Sequence, residues 1–252
     1  MSARLTPFPP TLMGIENHRL GNFRIRLLHE GDVDEVMDLR ESVLSQLENP
    51  DLYVREQPEQ DFVRAHIGTS AKSGTETGST GETIGVFDGD RMVAYAMLGL
   101  PGPSAPDHLG RYVSQLNAET RDTAANISSC MVLPKYRGHG LQRVLLVARF
   151  SLAQAHARGA CIAMVSLHNH ASRRNMMREG MRIAWVGNIC GSQRQILVMH
   201  MNEHWRFADD GAQLVHRLNF DRQQALTEQG WIGVGEVEGP DPEQLVFARR
   251  HP

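Results

Sequence analysis

Apolar residues recur along this chain at two spacings, one typical of helices and the other of strands. The clearest helical pattern begins at Leu141, where apolar positions recur every three or four residues up to Ala155. Two near-continuous apolar runs, residues 127–133 and 161–167, flank this helix and predict buried strands. Pro134 ends the first run, because proline cannot donate to a strand ladder. The order strand, helix, strand predicts a right-handed crossover between two parallel strands.

The same patterns predict elements on both sides of this unit. Asp88-Gly89-Asp90 lies between two apolar runs and is a strong signal for a β-hairpin turn. A second turn is expected at Gly191-Ser192. The other predicted elements are strands over residues 23–28, 83–87, 92–98, 181–190 and 194–201, and helices over residues 32–47 and 58–67.

Three regions fall outside these elements. Residues 1–22 are predicted to be a flexible leader. Residues 68–82 are rich in Gly, Ser and Thr and are predicted to be a mobile loop, because they carry too little apolar surface to offset the entropy of ordering them. In the connection over residues 101–125, Leu109, Val113 and Leu116 predict a short helix.

The C-terminal residues 203–252 are predicted to be a folded annex that packs on the main domain, residues 23–202, or on a second copy of it. No internal repeat is evident in the sequence. The apolar residues expected to anchor the annex are Leu214, Val215, Leu218, Phe220, Ala225, Leu226, Trp231, Ile232, Leu245, Val246 and Phe247.

The turn after residue 133 carries the clearest functional signal. Gly138 and Gly140 leave two positions without side chains, so backbone N–H groups at the helix start can approach a phosphate, whose charge the helix dipole favours. Arg137 adds a positive charge and a fork of donors. Taken alone, two such glycines are more simply a tight turn. The turn lacks both the Gly-Lys-Ser/Thr ending of a P-loop and the third glycine of a dinucleotide-binding turn.

In its context the turn resembles the acyl-CoA loop of the GNAT acetyltransferase superfamily. That loop has Arg or Gln, two residues, Gly, one residue, then Gly or Ala. Arg137 and Gly140 match this pattern, and Gln142 departs from it. The resemblance covers roughly residues 23–202. Further residues fall at the spacing of the family's Asn, small residue, Gly and Phe, namely Asn169, Ser172, Gly180 and Met181.

The resemblance implies an α/β fold, the GNAT acyl-CoA transferase fold, with a mixed sheet whose fourth and fifth strands form a splayed parallel pair, here with a C-terminal extension. It implies an acetyl-CoA-dependent N-acetyltransferase that moves an acetyl group to an amine by direct attack, with acetyl-CoA as co-substrate and no metal. The residues implied to bind acetyl-CoA are Cys130 and Val132 on the strand, Arg137, Gly138, His139, Gly140, Leu141, Gln142 and Arg143 in the turn, and Asn169 beyond the next strand.

The proton carriers common in this family are missing. Many members have a Tyr seven residues after the Asn, where this chain has Met176, and a Glu eleven residues before the Arg, where it has Asn126. Because an alkyl ammonium ion has a pKa of about 10 and a thiol about 8.5, deprotonating the amine is the harder step. The sequence assigns no catalytic residue.

Other polar residues are weaker candidates for roles in catalysis or acceptor binding. His168 and His170 flank Asn169, and either could act as a base, although ordinary polar residues at a strand end explain them more simply. Two histidines without a further ligand do not make a metal site. The remaining candidates are Tyr53, with Glu48, Asp51 and Glu56, in the loop between the first two helices, and Asp107, His108 and Glu119 in the long connection.

Composition limits the classes of partner. Lys and Arg total 26 against 29 Asp and Glu, a formal charge of -3, so the chain lacks the general basic character of nucleic-acid-binding proteins. No apolar run reaches the length of a membrane span, and the start lacks the apolar core of a signal peptide. Three cysteines in predicted strands, Cys130, Cys161 and Cys190, suggest reduced, packed thiols. A cytoplasmic location is therefore expected.

Alternatives to an enzyme stay open at this point. A non-catalytic acyl-CoA sensor would keep the turn and lose the proton carriers. The acceptor, if there is one, is a small-molecule or peptide amine that the sequence does not identify, and a homodimer is open. Nucleic acid and membrane are not expected as partners. A basic surface for nucleic acid would rest on Arg137, Arg143, Arg149, Arg173, Arg174 and Arg178, which phosphate and solvent contacts explain more simply.

Overall fold

Helices and strands lie close to their predicted positions. A computed structural model describes residues 18–67, 80–208, 210–237 and 243–251. Short 3-10 turns occur at Glu30–Asp32, Pro50–Leu52, Leu109–Tyr112 and Pro134–Tyr136. The strands are β1 (His18–Leu20), β2 (Phe23–Leu27), β3 (Thr80–Asp88), β4 (Arg91–Leu100), β5 (Ala125–Val132), β6 (Ala160–Ser166), β7 (Arg182–Ile189), β8 (Ser192–His200), β9 (Gln213–His216), β10 (Trp231–Glu236) and β11 (Gln244–Arg249). The helices are α1 (Val33–Leu44), α2 (Glu59–Ala65), α3 (Ala118–Asp122), α4 (Leu141–Ala155), α5 (His170–Arg178) and α6 (Phe220–Glu228).

The chain divides into two units. The first unit contains Met1–Glu48, Arg55–His108 and Ala125–Arg158, and the second contains Asn49–Val54, Leu109–Ala124 and Gly159–Pro252. The annex therefore shares a unit with β6, α5, β7 and β8, which the sequence places in the main domain.

The first unit is an antiparallel sheet with the strand order β1-β2-β3-β4-β5. Helices α1 and α4 both pack on β4 and β5. Because β4 is buried at every position after Arg91, both faces of the sheet are covered there. The β3–β4 hairpin turns at Gly89, whose φ of 61° lies in the left-handed region, as the Asp-Gly signal predicts.

The second unit is an antiparallel sheet with the order β6-β8-β7-β10-β11-β9. The long connection predicted to contain a short helix supplies the 3-10 turn Leu109–Tyr112 and α3. Val113 and Leu116 from this connection are buried with Ile162 and Ile196 of the sheet and Ile232 of the annex. The annex thus contributes to the same hydrophobic core as β6 and β8.

The second unit contains a repeat that the sequence does not reveal. The segment β6-α5-β7-β8 has the same element order and pairing as β9-α6-β10-β11, since the first strand of each pairs with the last and the last pairs with the third. The two copies meet where β7 pairs antiparallel with β10. Asn169 and Asn219 cap the two helices by accepting from Ser172 N and Arg222 N, each at 3.1 Å.

Several predictions are corrected by the structure. Cys190 lies in the turn between β7 and β8 rather than in a strand, and it is exposed. That turn is Cys190-Gly191, with φ of 51° and 75°, as a two-residue hairpin requires. Leu214 and Leu218, two expected anchors of the annex, are 60% and 45% exposed. Five of the predicted anchors are buried, namely Val215, Leu226, Ile232, Leu245 and Phe247, and Ala248 is buried as well.

The ends of two other predicted segments also differ. Within the predicted leader, His18–Leu20 forms β1 and pairs with β2. Within the predicted mobile loop, residues 80–82 belong to β3, and residues 68–79 lie outside the described part of the chain. No helix in the described ranges combines the length and apolar character needed to cross a membrane.

Candidate functional site

The turn between β5 and α4 has the geometry that the sequence predicts. Gly138 and Gly140 have φ of 84° and 75°, a conformation that glycine adopts without strain. A Cβ atom added at either position would meet nothing within 4 Å. Gly140 is the N-cap of α4, where the first N–H groups of a helix lack the usual acceptor four residues earlier, although the N–H of Arg143 donates to Gly140 O at 3.0 Å. No acidic residue occurs in the first turn of α4. The turn is therefore open and exposed, and an arrangement of this kind can accept an anion.

Aromatic contacts hold the turn on the edge of the first unit. The Tyr136 hydroxyl donates to the Asp88 carboxylate at 3.0 Å. The Phe23 ring lies 6.2 Å from the rings of Tyr136 and His139, edge to face in both cases. Arg137 is exposed, and its Nε donates to Val132 O at 3.4 Å. The Arg137 side chain thus lies along the end of β5 with its charge in solvent.

A β-bulge interrupts β5 before this turn. Ala96 pairs with Cys130 and Leu98 pairs with Ile127, so Met97 of β4 lies opposite two residues, Ser128 and Ser129. A bulge bends its strand and turns side chains away from the regular alternation. Ser129 is thereby buried in the first unit, and Ser128 is half-buried.

Ser129 belongs to a buried network around Arg40. This guanidinium group is fully buried and donates to the Tyr95 hydroxyl at 2.8 Å, to Ser129 Oγ at 3.0 Å and to the Glu59 carboxylate at 2.6 Å. The Tyr95 and Ser129 oxygens are 2.8 Å apart. A buried charge is tolerated when it is paired and hydrogen-bonded in this way. The network fixes α1 and α2 to β4 and β5.

Ser128 lies in a second polar group, around His66. The His66 ring is buried, with a 3% exposed residue surface, and its Nδ1 lies 2.9 Å from Phe62 O. Because a carbonyl oxygen only accepts, Nδ1 carries the proton and Nε2 carries the lone pair. Nε2 has no hydrogen-bond partner within the described residues. Burial lowers the pKa of His66, and the Arg40 charge lowers it further, while Asp107 acts in the opposite direction.

Two glycines make room for this ring. Gly81 and Gly99 are paired across β3 and β4. A Cβ atom on Gly81 would lie 2.8 Å from the His66 ring, and one on Gly99 would lie 3.2 Å from its Nε2. The same point at Gly99 is 3.2 Å from Ser128 Oγ and 3.3 Å from Asn126 Cβ. The Nε2 atom is therefore enclosed beside Gly99 in the interior of the first unit.

Two carboxyl groups of the first unit interact electrostatically with the charged groups around His66. Partial burial and the Asp107 charge raise the pKa of Glu56, although Arg40 opposes them. The Asn126 amide donates to the backbone oxygen of Asp107 at 2.8 Å. Glu56 and Asp107, candidates from separate parts of the sequence, are thus brought into one electrostatic environment with His66.

Comparisons with solved structures identify the architecture. An N-acetyltransferase from Staphylococcus aureus Mu50 is 14% identical, with a TM-score of 0.53 over 72% of this chain and 100% of that one. A proposed acetyltransferase from Salmonella typhimurium, solved with its cofactor acetyl-CoA, is 16% identical, with a TM-score of 0.52 over 73% and 96%. The GNAT domain of S. lividans PAT is 14% identical, with a TM-score of 0.50 over 71% and 91%. The chain has the GNAT fold.

The predicted fold class is therefore confirmed. The sequence itself matches no protein-family model and no curated protein. At 14–17% identity the GNAT fold is shared while most side chains differ.

Nine of the ten residues predicted to bind acetyl-CoA follow one another closely in the first unit of this GNAT fold, on β5, in the turn and at the start of α4. Asn169 belongs to the second unit, where its side-chain oxygen caps α5. Burial raises the pKa of the Cys130 thiol, although the Arg149 charge opposes this. The Cys130 side chain is accordingly a neutral thiol. The predicted contact with acetyl-CoA involves the backbone of Cys130 and not this thiol.

Most of the other candidates from the sequence are buried or make hydrogen bonds within the protein. Met176 is buried in α5, with 7% of its surface exposed. The Asp51 carboxylate accepts from Ser192 Oγ at 3.3 Å, and its backbone oxygen accepts from Arg194 at 2.7 Å, so its loop is attached to β8. Burial lowers the pKa of His170, although Glu236 opposes this, and its Nδ1 lies 3.1 Å from Arg173 Nη2.

Three of the six arginines considered as a basic surface are occupied within the protein. Arg149 and Arg173 are 1% and 0% exposed. Arg149 donates to backbone oxygens of Met97 and Ser128, each at 3.3 Å. Arg173 and Arg174 both bind the Glu236 carboxylate, at 3.2 and 3.1 Å. Half of the proposed cluster is therefore neutralised or enclosed.

The sequence does not reveal the buried environment of His66. This residue falls inside the predicted second helix and belongs to no motif. A faint signal was available, since Gly81 and Gly99 flank the predicted hairpin, and they pair with each other across β3 and β4.

Proposed function

We propose that this protein is an acetyl-CoA-dependent N-acetyltransferase that transfers an acetyl group to an amine. The observation that carries the proposal is the open turn between β5 and α4. Left-handed glycines, a helix N-terminus and an exposed arginine occur there together in a GNAT fold. Acyl transfer is the activity that the names of the structural neighbours share.

The residues of the turn fit the group that they are proposed to hold. A pyrophosphate needs backbone donors that it can approach closely, and the positions of Gly138 and Gly140 are open where side chains would otherwise intrude. Arg137 adds a charge-assisted donor at the edge. Acetyl-CoA would supply an activated thioester carbonyl group. In this proposal the N–H groups from Gly138 to Arg143 bind its phosphates, and backbone groups of Cys130 and Val132 and the Asn169 side chain bind its amide-bearing arm.

The acceptor in this proposal is a small-molecule or peptide amine. The carboxyl groups of Glu56 and Asp107 lie close enough to interact electrostatically, and this negative charge on the first unit favours a cationic amine over an anionic acceptor. Direct attack on the thioester requires the amine to be neutral when it reacts. An amine that enters as an ammonium ion therefore has to lose a proton within the site.

The first test concerns the turn. Acetyl-CoA at a hundred times its dissociation constant should stabilise the protein by about 2.7 kcal/mol. The Gly140→Asp substitution should abolish this shift, because it places a carboxylate against the phosphates. Gly191→Asp is the matched control, since Gly191 has the same φ of 75° and equally open surroundings but lies in the β7–β8 hairpin of the second unit. Thermal melts with and without acetyl-CoA measure both. A shift that persists in Gly140→Asp would remove the turn from the proposal.

A non-catalytic acyl-CoA sensor is the second candidate, favoured by the residues at two positions. Asn126 and Met176 replace the usual proton carriers, and neither can accept a proton from an amine. The two functions differ in turnover. Release of free CoA thiol, measured with acetyl-CoA and a panel of polyamines, amino acids and peptides, supports the enzyme. A normal thermal shift with no release for any amine supports the sensor.

A further inference from the structure

We propose that the edge of β7 is a surface for a twofold partner, and that the annex fills it as a built-in substitute for a second chain. This assignment concerns assembly and does not depend on the proposed acetyl transfer. Three features support it, namely the register of the repeat, the two residues that meet at its centre and the charge beside them.

The two copies of the repeat match with a constant offset. Each residue of the second copy carries the number of its counterpart plus 50, as the helices His170–Arg178 and Phe220–Glu228 show. The β-bulge recurs as well, since the register shifts after Ile183 in β7 and after Gly233 in β10. The two copies therefore have the same backbone arrangement despite their different side chains. Strand pairs that keep the offset include Ala163 with Leu197 and Gln213 with Phe247, and Trp185 with Ile196 and Gly235 with Val246.

The contact between the two copies has twofold symmetry. The residues that pair where β7 meets β10 are Ile183 and Gly233, which are counterparts in the repeat. In a twofold contact, a residue on the axis meets its own counterpart, and every other contact occurs twice. The second feature is also present, since α5 packs on β10 and α6 packs on β7. The annex is therefore placed as residues 160–200 of a second chain would be.

The annex covers this edge of β7 in two ways. β8 pairs with one side of β7, and β10 pairs with the other side at Ile183. Farther along the edge, the N–H of Val186 donates to Thr227 Oγ1 of α6 at 3.2 Å. A strand edge without such partners invites pairing with a strand from another chain. A second chain docked about the same axis would bring its own β7 to this edge, and the annex takes that place.

The residues on the axis fit the annex and not a second chain. A Cβ atom on Gly233 would lie 2.8 Å from the Ile183 Cβ, closer than real Cβ contacts. A second chain docked in this way would bring its own Ile183 to the position of Gly233. Two isoleucines would then collide where one isoleucine and one glycine now fit. Because excluding a wrong partner contributes to specificity, this pair selects the annex.

A buried charge makes the same selection. Arg173 of α5 is fully buried, and its Nε donates to the Glu236 carboxylate of β10 at 3.2 Å. The counterpart of Glu236 in the first copy is Val186. A second chain would thus present an apolar side chain to Arg173, and a buried charge without its partner is strongly destabilising. For both reasons we expect the full-length protein to be a monomer.

The first test exchanges the two residues on the axis. Gly233→Ile should lower the melting temperature through the collision, and Ile183→Gly should lower it through lost packing. For overpacking in a chain of this size the decrease is roughly 2–12 °C. The double variant Ile183→Gly/Gly233→Ile places the large side chain on the other side of the axis. It should recover most of the summed loss, because a twofold contact has the same shape from either side.

Gly235→Ile is the matched control for this exchange. Gly235 lies in the same strand, and a Cβ atom there would meet nothing within 4 Å, so this variant should melt close to the wild type. Losses that simply add in the double variant would overturn the twofold arrangement. If both single variants fail to fold, recovery of folded protein in the double variant supports the assignment, and no recovery overturns it.

The second test measures the mass of the full-length protein in solution. Size-exclusion chromatography with light scattering should give the mass of one chain, 28.1 kDa, at every protein concentration. A dimer would overturn the assignment, because the annex would then not replace a second chain. Neither test uses acetyl-CoA, so this assignment and the proposed function can fail independently.

Discussion

At the scale of single residues, two glycines allow close packing in the interior of the first unit. Gly99 has no side chain, and a Cβ atom there would lie 3.2 Å from both His66 Nε2 and Ser128 Oγ. Gly81 has none, and a methyl group there would lie 2.4 Å from Leu98 O as well as against the His66 ring. The imidazole can occupy its position only because both residues are glycine. A buried polar ring is thus accommodated by two residues that have no side chain of their own.

Met176 is expected to have a structural role only. It cannot donate a proton and is almost fully buried, so Met176→Ala removes packing contacts in α5. The expected loss of unfolding free energy is about 2–5 kcal/mol, the range for truncating a buried methionine. Activity per folded molecule should survive. Thermal melts and amine-dependent CoA release measure the two effects.

A different result would contradict a purely structural role for Met176. If Met176→Ala kept its melting temperature and CoA affinity but lost about a thousandfold in turnover, as when a key transition-state donor is removed, the residue would have a chemical role. The spacing that places it opposite the family's tyrosine would then be wrong.

Residues differ in how far the sequence predicts them. Gly138 and Gly140 were predictable because their role depends on a few neighbours in one strand, turn and helix. His66 was not, because its environment depends on Gly81, Gly99 and Ser128, which come from three different strands. Glu56 and Asp107 were recognised as candidates, but only the fold places them around one group.

At the scale of elements, the two copies of the repeat allow a matched experiment. Asn169 and Asn219 cap α5 and α6 with the same 3.1 Å hydrogen bond. Replacing either with Ala should cost about 1 kcal/mol of stability, as for other N-cap substitutions. Only Asn169→Ala should also weaken acetyl-CoA binding if Asn169 holds the proposed arm. Chemical denaturation and titration with acetyl-CoA distinguish the two. Equal CoA affinities would leave Asn169 with a capping role alone.

Element boundaries were largely predictable, and the repeat was not. The strict helical period of α4 and the Asp-Gly turn of the β3–β4 hairpin are local signals, and both elements are where the sequence predicts them. The two copies of the repeat share few residues. Between 169 and 180 in one copy and 219 and 230 in the other, only the capping asparagine and the final glycine are the same. These two residues mark the start and the end of each helix. Between them, α5 and α6 pack through different side chains.

At the scale of the whole molecule, the C-terminal annex is an integral part of the second unit. Its strand β10 pairs with β7, and its Ile232 is fully buried in the core that contains Ile162 and Ile196. Thr227 of α6 accepts from the backbone N–H of Val186 at 3.2 Å. Glu236 is the acidic partner of the fully buried Arg173. The annex therefore closes a sheet edge, completes a core and neutralises a buried charge.

Ending the chain at Met201 should consequently destabilise what remains. Loss of Glu236 leaves Arg173 without its carboxylate, and removing one partner of a buried ion pair costs about 3–5 kcal/mol. Loss of Ile232 and Phe247 forgoes about 1.5–3 kcal/mol for each buried side chain. Together these approach the whole stability of a typical domain, about 5–15 kcal/mol. We expect aggregation or a clearly lower melting temperature.

A full-length Glu236→Gln variant separates the ion pair from the rest of the annex. It keeps β10, α6 and the core but removes the negative charge, so it should melt between the wild type and the truncated chain. Melting curves of the three proteins at equal concentration, with and without acetyl-CoA, provide the comparison. A truncated protein that is soluble, melts with the wild type and binds acetyl-CoA normally would contradict this account, because the edge of β7 and the Arg173 charge would then need no cover.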